Sequence, residues 1–287
     1  METHELLTEL LHRKKWQQLK ELLDEMNEQD IAELFMELDE RDLTLIYRLL
    51  NKELAAEVFV NMEPEYQEQL IRAFSDSELR EVLDELYVDD AVDLIEEMPA
   101  TLVKRILRHT DPDTRKSINE ILKYPEDSAG SIMTVEYMDL KENMTVEDAI
   151  ARIRQKGMDS ETINICYVLD ATRKLVGTVA LRYLLISPSD AVIGEIMHEN
   201  VVHIHTLMDQ EEVARQFQKY DFIAMPVVDN EERLVGIITV DDIVDILQEE
   251  ATEDMEMMAA VMPSDKPYMR TGVWETWKKR FPWEYKS

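Results

Sequence analysis

Leu234-Val235-Gly236-Ile237-Ile238-Thr239-Val240-Asp241-Asp242 is an aliphatic, β-branched run through a glycine, followed at once by an acidic helix start. Its counterpart earlier in the chain is Leu175-Val176-Gly177-Thr178-Val179-Ala180-Leu181-Arg182-Tyr183. Upstream the likeness continues. Val227-Val228-Asp229 answers Val168-Leu169-Asp170, and Met208-Asp209-Gln210-Glu211-Glu212-Val213 answers Met144-Thr145-Val146-Glu147-Asp148-Ala149. The two copies open at Ile132-Met133-Thr134 and at Ile196-Met197. Met197 follows Met133 by 64 residues and Gly236 follows Gly177 by 59, so the copies differ by a five-residue gap between helix and strand. A unit of about sixty residues buries too little surface to be secure alone, so the two are expected to pack on one another. The runs Ile163–Leu169, Ala224–Val228 and Leu234–Thr239 read as strands. Thr145 and Asp209 read as caps of helices with acidic first turns.

Residues 1–124 carry a second repeat, of 24 residues. Ile31, Ala55, Leu79 and Val103 fall in register, as do Leu34, Val58, Val82 and Ile106, then Phe35, Phe59, Leu83 and Leu107. Ile46, Leu70, Leu94 and Ile118 follow, and Leu50, Phe74, Met98 and Leu122 close the unit. A weaker copy precedes these through Leu7, Leu10, Leu11, Leu22 and Met26. Such a period holds two short helices and their turns, and each pair needs its neighbour for burial. Pro64, Pro99 and Pro112 stand where helices start or stop. The fold class is therefore α plus α+β: a superhelical stack of short helices, an α+β pair, and a C-terminal helix.

The chain holds 62 acidic against 31 basic residues in 287, a formal charge of −31. Nucleic acid would be repelled, whereas cations held between carboxylates, or a solvated acidic surface, fit. The single cysteine, Cys166, excludes an internal disulfide framework and suits a reducing compartment. The N-terminus does not resemble a signal peptide, and no 18-residue apolar window spans a bilayer. The last segment differs in character. Trp274, Trp277, Phe281 and Trp283 interleave with Lys278-Lys279-Arg280, the composition of a helix at a cytoplasmic membrane interface.

Enzymatic motifs are missing. Six dispersed glycines make no phosphate-cradling loop, and neither G-x-S-x-G nor H-E-x-x-H occurs. His203-x-His205 would share one strand face. With no cysteine or third histidine nearby, it reads as a surface pair in preference to a zinc site. Hard oxygen is plentiful: Asp89-Asp90 with Asp93, Asp241-Asp242 with Asp245, and Glu249-Glu250 with Glu253-Asp254. Spacings of three and four put such carboxylates on one helix face, where two ~4 Å apart repel by about 4 kcal/mol at an effective dielectric near 20. Each cluster alone reads as a solvated face, but three that could face one another suit Mg2+ ahead of Ca2+. The Thr239-x-x-Asp242 spacing fits a helix capping box first and a ribose contact second. The first copy has Ala180 and Tyr183 there.

Residues 131–250 resemble a tandem pair of CBS domains, carried by the ending Gly236-Ile-Ile-Thr239-Val-Asp-Asp242. The 24-residue helical repeats are similar to the N domain of MgtE-type magnesium transporters. The junction Tyr124-Pro-Glu-Asp127-Ser-Ala129-Gly130-Ser-Ile-Met133 and the pieces Asp221-Phe222 and Glu250-Ala-Thr-Glu253-Asp254 also resemble that family. The resemblance divides the chain into an N domain at 1–128, CBS domains at 129–190 and 191–250, and a connecting, plug-like helix at 251–287. It implies a Mg2+-sensing region at the cytoplasmic face of a bacterial membrane, forming a homodimer through its CBS domains. It further implies control of ion-channel gating in a transmembrane pore domain that these residues do not include.

By position, the resemblance makes Asp89 and Asp242 sharers of Mg2+, with Glu57 and Asp93 as further acidic positions. Asp221 and Asp245 match a second ion site, where Ser131 replaces a glycine, and Glu250, Glu253 and Asp254 match ligands at the head of the connecting helix. It also implies ATP near Arg182, Phe222 and Thr239, so that metal and nucleotide compete for Asp242, with the metal taken first. The expected function is non-catalytic: closure of N and CBS domains around Mg2+, which releases when Mg2+ falls. The rival is a soluble adenine-nucleotide-sensing CBS regulator of a partner enzyme.

Overall fold

The structure is a computed structural model describing residues 2–258, and it divides into two compact units, Met1–Lys123 and Tyr124–Ser287. In the first, helices α1 (Glu2–His12) and α2 (Trp16–Asp24) pack on each other and precede four helix pairs. The first members are α3 (Glu28–Met36), α5 (Lys52–Val60), α7 (Asp76–Leu83) and α9 (Ala100–His109). The second members are α4 (Glu40–Tyr47), α6 (Pro64–Ala73), α8 (Val88–Glu97) and α10 (Pro112–Ile121). Successive first members stack, α3 on α5, α5 on α7 and α7 on α9, while α4 meets α6 and α8 meets α10.

The 24-residue period extends to the helix starts. Asn27, Asn51, Ser75 and Pro99 precede the first members, and Asp39, Glu63, Tyr87 and Asp111 precede the second. Asn27, Asn51, Ser75, Asp39 and Asp111 accept a backbone N–H of the first turn, which satisfies donors the helix cannot reach. Pro64 and Pro112 open their helices, where a missing N–H costs nothing. The position held by Ile46, Leu70, Leu94 and Ile118 is buried in every copy. The closing position is not: Leu122, expected inside, is 36% exposed at the end of the last repeat. Arg105 ties neighbouring repeats by donating to the carbonyls of Ile71 (2.5 Å) and Phe74 (2.7 Å), where the α6 end leaves acceptors unpaired.

The second unit contains two sheets of identical plan. In the first, β1 (Tyr137–Lys141) runs parallel to β2 (Thr162–Leu169), which pairs antiparallel with β3 (Leu175–Ala180). In the second, β4 (Ile204–His205), β5 (Ala224–Val228) and β6 (Leu234–Thr239) repeat that order. Helix α11 (Val146–Lys156) joins β1 to β2 and α14 (Gln210–Tyr220) joins β4 to β5; α12 (Leu181–Ile186) and α13 (Ile193–Ile196) lie between the copies. After β6, α15 (Val240–Met258) packs on α14.

The copies exchange their opening segments. Thr134 of the first pairs with Ile237 on β6, through N–H···O bonds of 2.9 Å in both directions. His198 of the second pairs likewise with Thr178 on β3, at 2.8 and 3.0 Å. The signature glycines make this approach possible. A Cβ on Gly236 would lie 2.6 Å from both Met133 Sδ and the Thr134 carbonyl oxygen, and one on Gly177 would lie 2.6 Å from Met197 Sδ. Between the sheets Tyr167, Leu169, Leu234 and Ile237 form one buried cluster. Two half-size cores are thus completed by each other. Cys166 is buried in β2, and burial pushes its thiol up to about 12, which makes it unreactive.

Candidate functional site

The helical unit positions its carboxylates on α5 and α8. Asp89 and Asp93 fall one turn apart on α8; Asp89 is buried and accepts from Asp90 N at 3.0 Å, while Asp93 is exposed. Glu57 is exposed on α5. Its carboxyl is shifted upward by desolvation first and then by Glu28 and Glu53, so its nearest electrostatic company is a second acidic group around α3 and α5.

In the other unit the acidic start of α15 is held by the strand before it. Thr239, buried at the end of β6, donates its hydroxyl to Asp242 Oδ2 at 2.8 Å, and its N–H reaches the same oxygen at 3.3 Å. That is the capping interaction anticipated from the spacing. It does not offset the environment. Burial, and then Asp241 and Asp245, push Asp242 up to about 6 against the lowering effect of Thr239. Asp245 is raised by burial and by Asp241. A carboxylate whose charge is opposed by both desolvation and like neighbours is a ready acceptor for a cation.

The remaining expected residues lie on separate elements. Glu250 accepts from Gln210 Nε2 at 2.9 Å, which links α15 to the start of α14. Nothing in the sequence links Gln210 to Glu250, 40 positions on; the packing of α14 on α15 pairs them. Asp221 ends α14 in the left-handed conformation, φ 53°, with its N–H on Phe217 O. Ser131 is buried, and its hydroxyl donates to Ser128 O at 2.8 Å and accepts Ser128 N at 3.2 Å, closing the turn ahead of Met133. Phe222 stacks on Tyr220 with centroids 5.6 Å apart, and Arg182 is exposed on α12. The side chains of Glu253 and Asp254 lie outside the described residues, as do Trp274, Trp277, Lys278, Lys279, Arg280, Phe281 and Trp283. No helix among the described residues is long and apolar enough to cross a membrane.

Residues 26–127 match the MgtE intracellular N domain, and residues 129–189 and 193–249 match the CBS domain. The chain is similar to the solved cytosolic domain of the Mg2+ channel MgtE in complex with ATP, at 39% identity and a TM-score of 0.79, over 84% of this chain and 98% of that one. It is also similar to the solved soluble part of a magnesium transporter, at 32% identity and a TM-score of 0.80, over 87% and 98%. Magnesium transporter MgtE of Thermus thermophilus is 40% identical over 83% of this chain and 54% of its own length, and that of Bacillus subtilis 33% over 69% and 44%. The chain thus spans about half the length of these relatives. Helical repeats followed by two CBS domains define a regulatory, non-catalytic region. The chain belongs to the MgtE family, of which it carries the N domain and the tandem CBS domains.

Proposed function

We propose that this region senses Mg2+ and gates a magnesium transporter from the cytoplasmic face of a membrane, as a homodimer formed through its CBS domains and linked by its C-terminal segment to a pore domain of the same protein. The observation that carries the reading is Asp242, a partly buried carboxylate raised to about 6 among Asp241 and Asp245. Its donors are all oxygen, the set that Mg2+ prefers. Asp89, Asp93 and Glu57 of the helical unit would share ions with Asp242. Asp221, Asp245 and Ser131 would form a second set, and Glu250, Glu253 and Asp254 a third. Bound Mg2+ supplies positive charge that cancels carboxylate repulsion. With that charge gone, the like-charged faces separate, and the connecting segment that α15 leads into is released to act on the pore.

The ending shared by Thr239 and Asp242, with Arg182 and Phe222, supports ATP as a second ligand, since a similar solved structure contains it. Thr239 and Asp242 are already bonded to each other, so a ribose would have to break or share that bond. Calorimetric titration of this chain with Mg2+, Ca2+ and ATP tests the reading. Saturable Mg2+ binding that Asp89→Ala and Asp242→Ala each weaken is expected. An isotherm unchanged in both variants would reject those residues as ligands.

A further inference from the structure

His203 and His205 project from the same side of the edge of the second sheet, with Ile204 buried between them. Their rings meet edge-on with centroids 5.3 Å apart. The hairpin between β5 and β6 brings Glu232 beside them, 28 or so residues further along the chain, and ligand atoms from all three lie within 4.8 Å of one another. His203 Nε2 stands 3.4 Å from Glu232 Oε2, already near the about 3.3 Å edge of a tetrahedron with metal–ligand bonds of about 2.0–2.1 Å. Its other nitrogen, Nδ1, lies 3.3 Å from the Val201 carbonyl oxygen. A proton on Nδ1 would fix the ring and leave the Nε2 lone pair free for a metal.

The first CBS copy supplies an internal control. Strand pairing places Leu140 opposite Val168 and Ile204 opposite Val227, so Asp139 and Lys141 occupy the positions of His203 and His205. The two hairpins have the same turn. Asp170 Oδ1 accepts from Thr172 N and Lys174 N, Asp229 Oδ1 accepts from Glu231 N and Arg233 N, and the next-to-last residue of each turn has positive φ, Arg173 at 68° and Glu232 at 63°. Arg173 therefore stands where Glu232 does. The first copy fills the three places with Asp139, Lys141 and Arg173, and Asp139 is ion-paired to Arg152 on α11. In the second copy the helix position of Arg152 is Gln216, which donates to Met208 Sδ and leaves the histidines without that cation. One scaffold thus carries a closed salt bridge in one copy and a convergent imidazole–imidazole–carboxylate set in the other.

We propose that His203, His205 and Glu232 form a binding site for a late first-row divalent metal of the Zn2+, Co2+ or Ni2+ type, chemically separate from the oxygen sites for Mg2+. Two imidazoles and one carboxylate suit such ions, whereas Mg2+ prefers oxygen alone. The bound ion would leave a fourth position to water and would fasten the strand edge to the hairpin tip. That tip is docked on the first copy, through Leu175 N to Glu232 O and Leu234 N to Arg173 O, both 3.1 Å, so the site would stiffen the seam between copies.

The test uses the chelator-treated chain, titrated with Co2+ by visible absorption and with Zn2+ by calorimetry, in excess Mg2+. One Zn2+ per chain, undiminished by Mg2+, is expected, with affinity reduced at least about tenfold in His203→Ala/His205→Ala and less in Glu232→Gln. Absent Zn2+ binding, binding abolished by Mg2+, or binding unchanged in the double variant would overturn the proposal. Should the double variant not fold, imidazole NMR of the unmodified chain decides. Zn2+ moving the His203 and His205 signals supports the site, and Zn2+ leaving them unmoved overturns it. The Mg2+ isotherm of the double variant, expected to match the unmodified chain, separates failure here from failure of Mg2+ sensing.

Discussion

The two CBS copies share a backbone and differ in chemistry. Both have a parallel–antiparallel three-stranded sheet, an Asp-closed hairpin turn with a left-handed next-to-last residue, and a signature glycine under the other copy's opening segment. Yet the second copy alone has Thr239 with Asp242 at its helix start, where the first has Ala180 and Tyr183, and His203, His205 and Glu232 at its sheet edge. The conserved plan answers a packing problem, since each copy needs the other to finish its core. Once that is solved, the positions of one copy that lie outside the shared apolar core are free to acquire ligands while the other serves as scaffold.

The largest effect that would sharpen this comparison concerns the glycines. Gly236→Ala drives a Cβ against a backbone carbonyl as well as Met133 Sδ, whereas Gly177→Ala meets mainly the flexible Met197 side chain. A loss of about 2–3 kcal/mol is expected for Gly236→Ala and about 1 kcal/mol for Gly177→Ala, read from urea unfolding. Equal losses would break the argument. Next come the caps. Thr145→Ala removes an exposed capping box and should cost about 1 kcal/mol; Thr239→Ala also strips a donor from a partly buried carboxylate and should cost about 1–2 kcal/mol. Asp242→Asn should act with the opposite sign, raising stability by about 1 kcal/mol in chelator while reducing the stabilisation by Mg2+. Thermal melts with and without Mg2+ would show both.

The same two caps give a titration contrast. Asp148 is held below its ordinary 3.8, chiefly by the Thr145 side chain, so its stabilisation is present above that value and is lost as pH falls through the folded pKa. Asp242 is held near 6 by burial. Its contribution is full below about 3.8 and is lost as pH rises through about 6. Carboxyl NMR in metal-free buffer should find Asp148 titrating below 3.8 and Asp242 well above it; similar midpoints would contradict the difference in environment.

The helical period and the hairpin endings were legible because they are local. Ile46, Leu70, Leu94 and Ile118 declare their register in sequence, and Leu234 to Asp242 declares strand then helix. Strand β1, Tyr137–Lys141, lay outside the expected strands, because its partner β2 begins some twenty residues later and Asp139 and Lys141 blur the alternation. The exchange of opening segments was hidden for the same reason, being written in contacts from Thr134 to Ile237 and from Thr178 to His198. Leu122 kept its apolar identity at a repeat end with no further repeat to cover it. His203 and His205 have no third ligand near them in sequence, because Glu232 reaches them only through the hairpin between β5 and β6.

Whether paired carboxylates drive a change of shape is tested most directly by small-angle scattering of this chain at neutral pH, in chelator and in millimolar Mg2+, on both the unmodified protein and Asp89→Ala/Asp242→Ala. The account predicts a smaller radius of gyration in Mg2+ for the unmodified protein and a much weaker contraction for the double variant. A radius that ignores Mg2+, or a variant that contracts as fully as its parent, would contradict it.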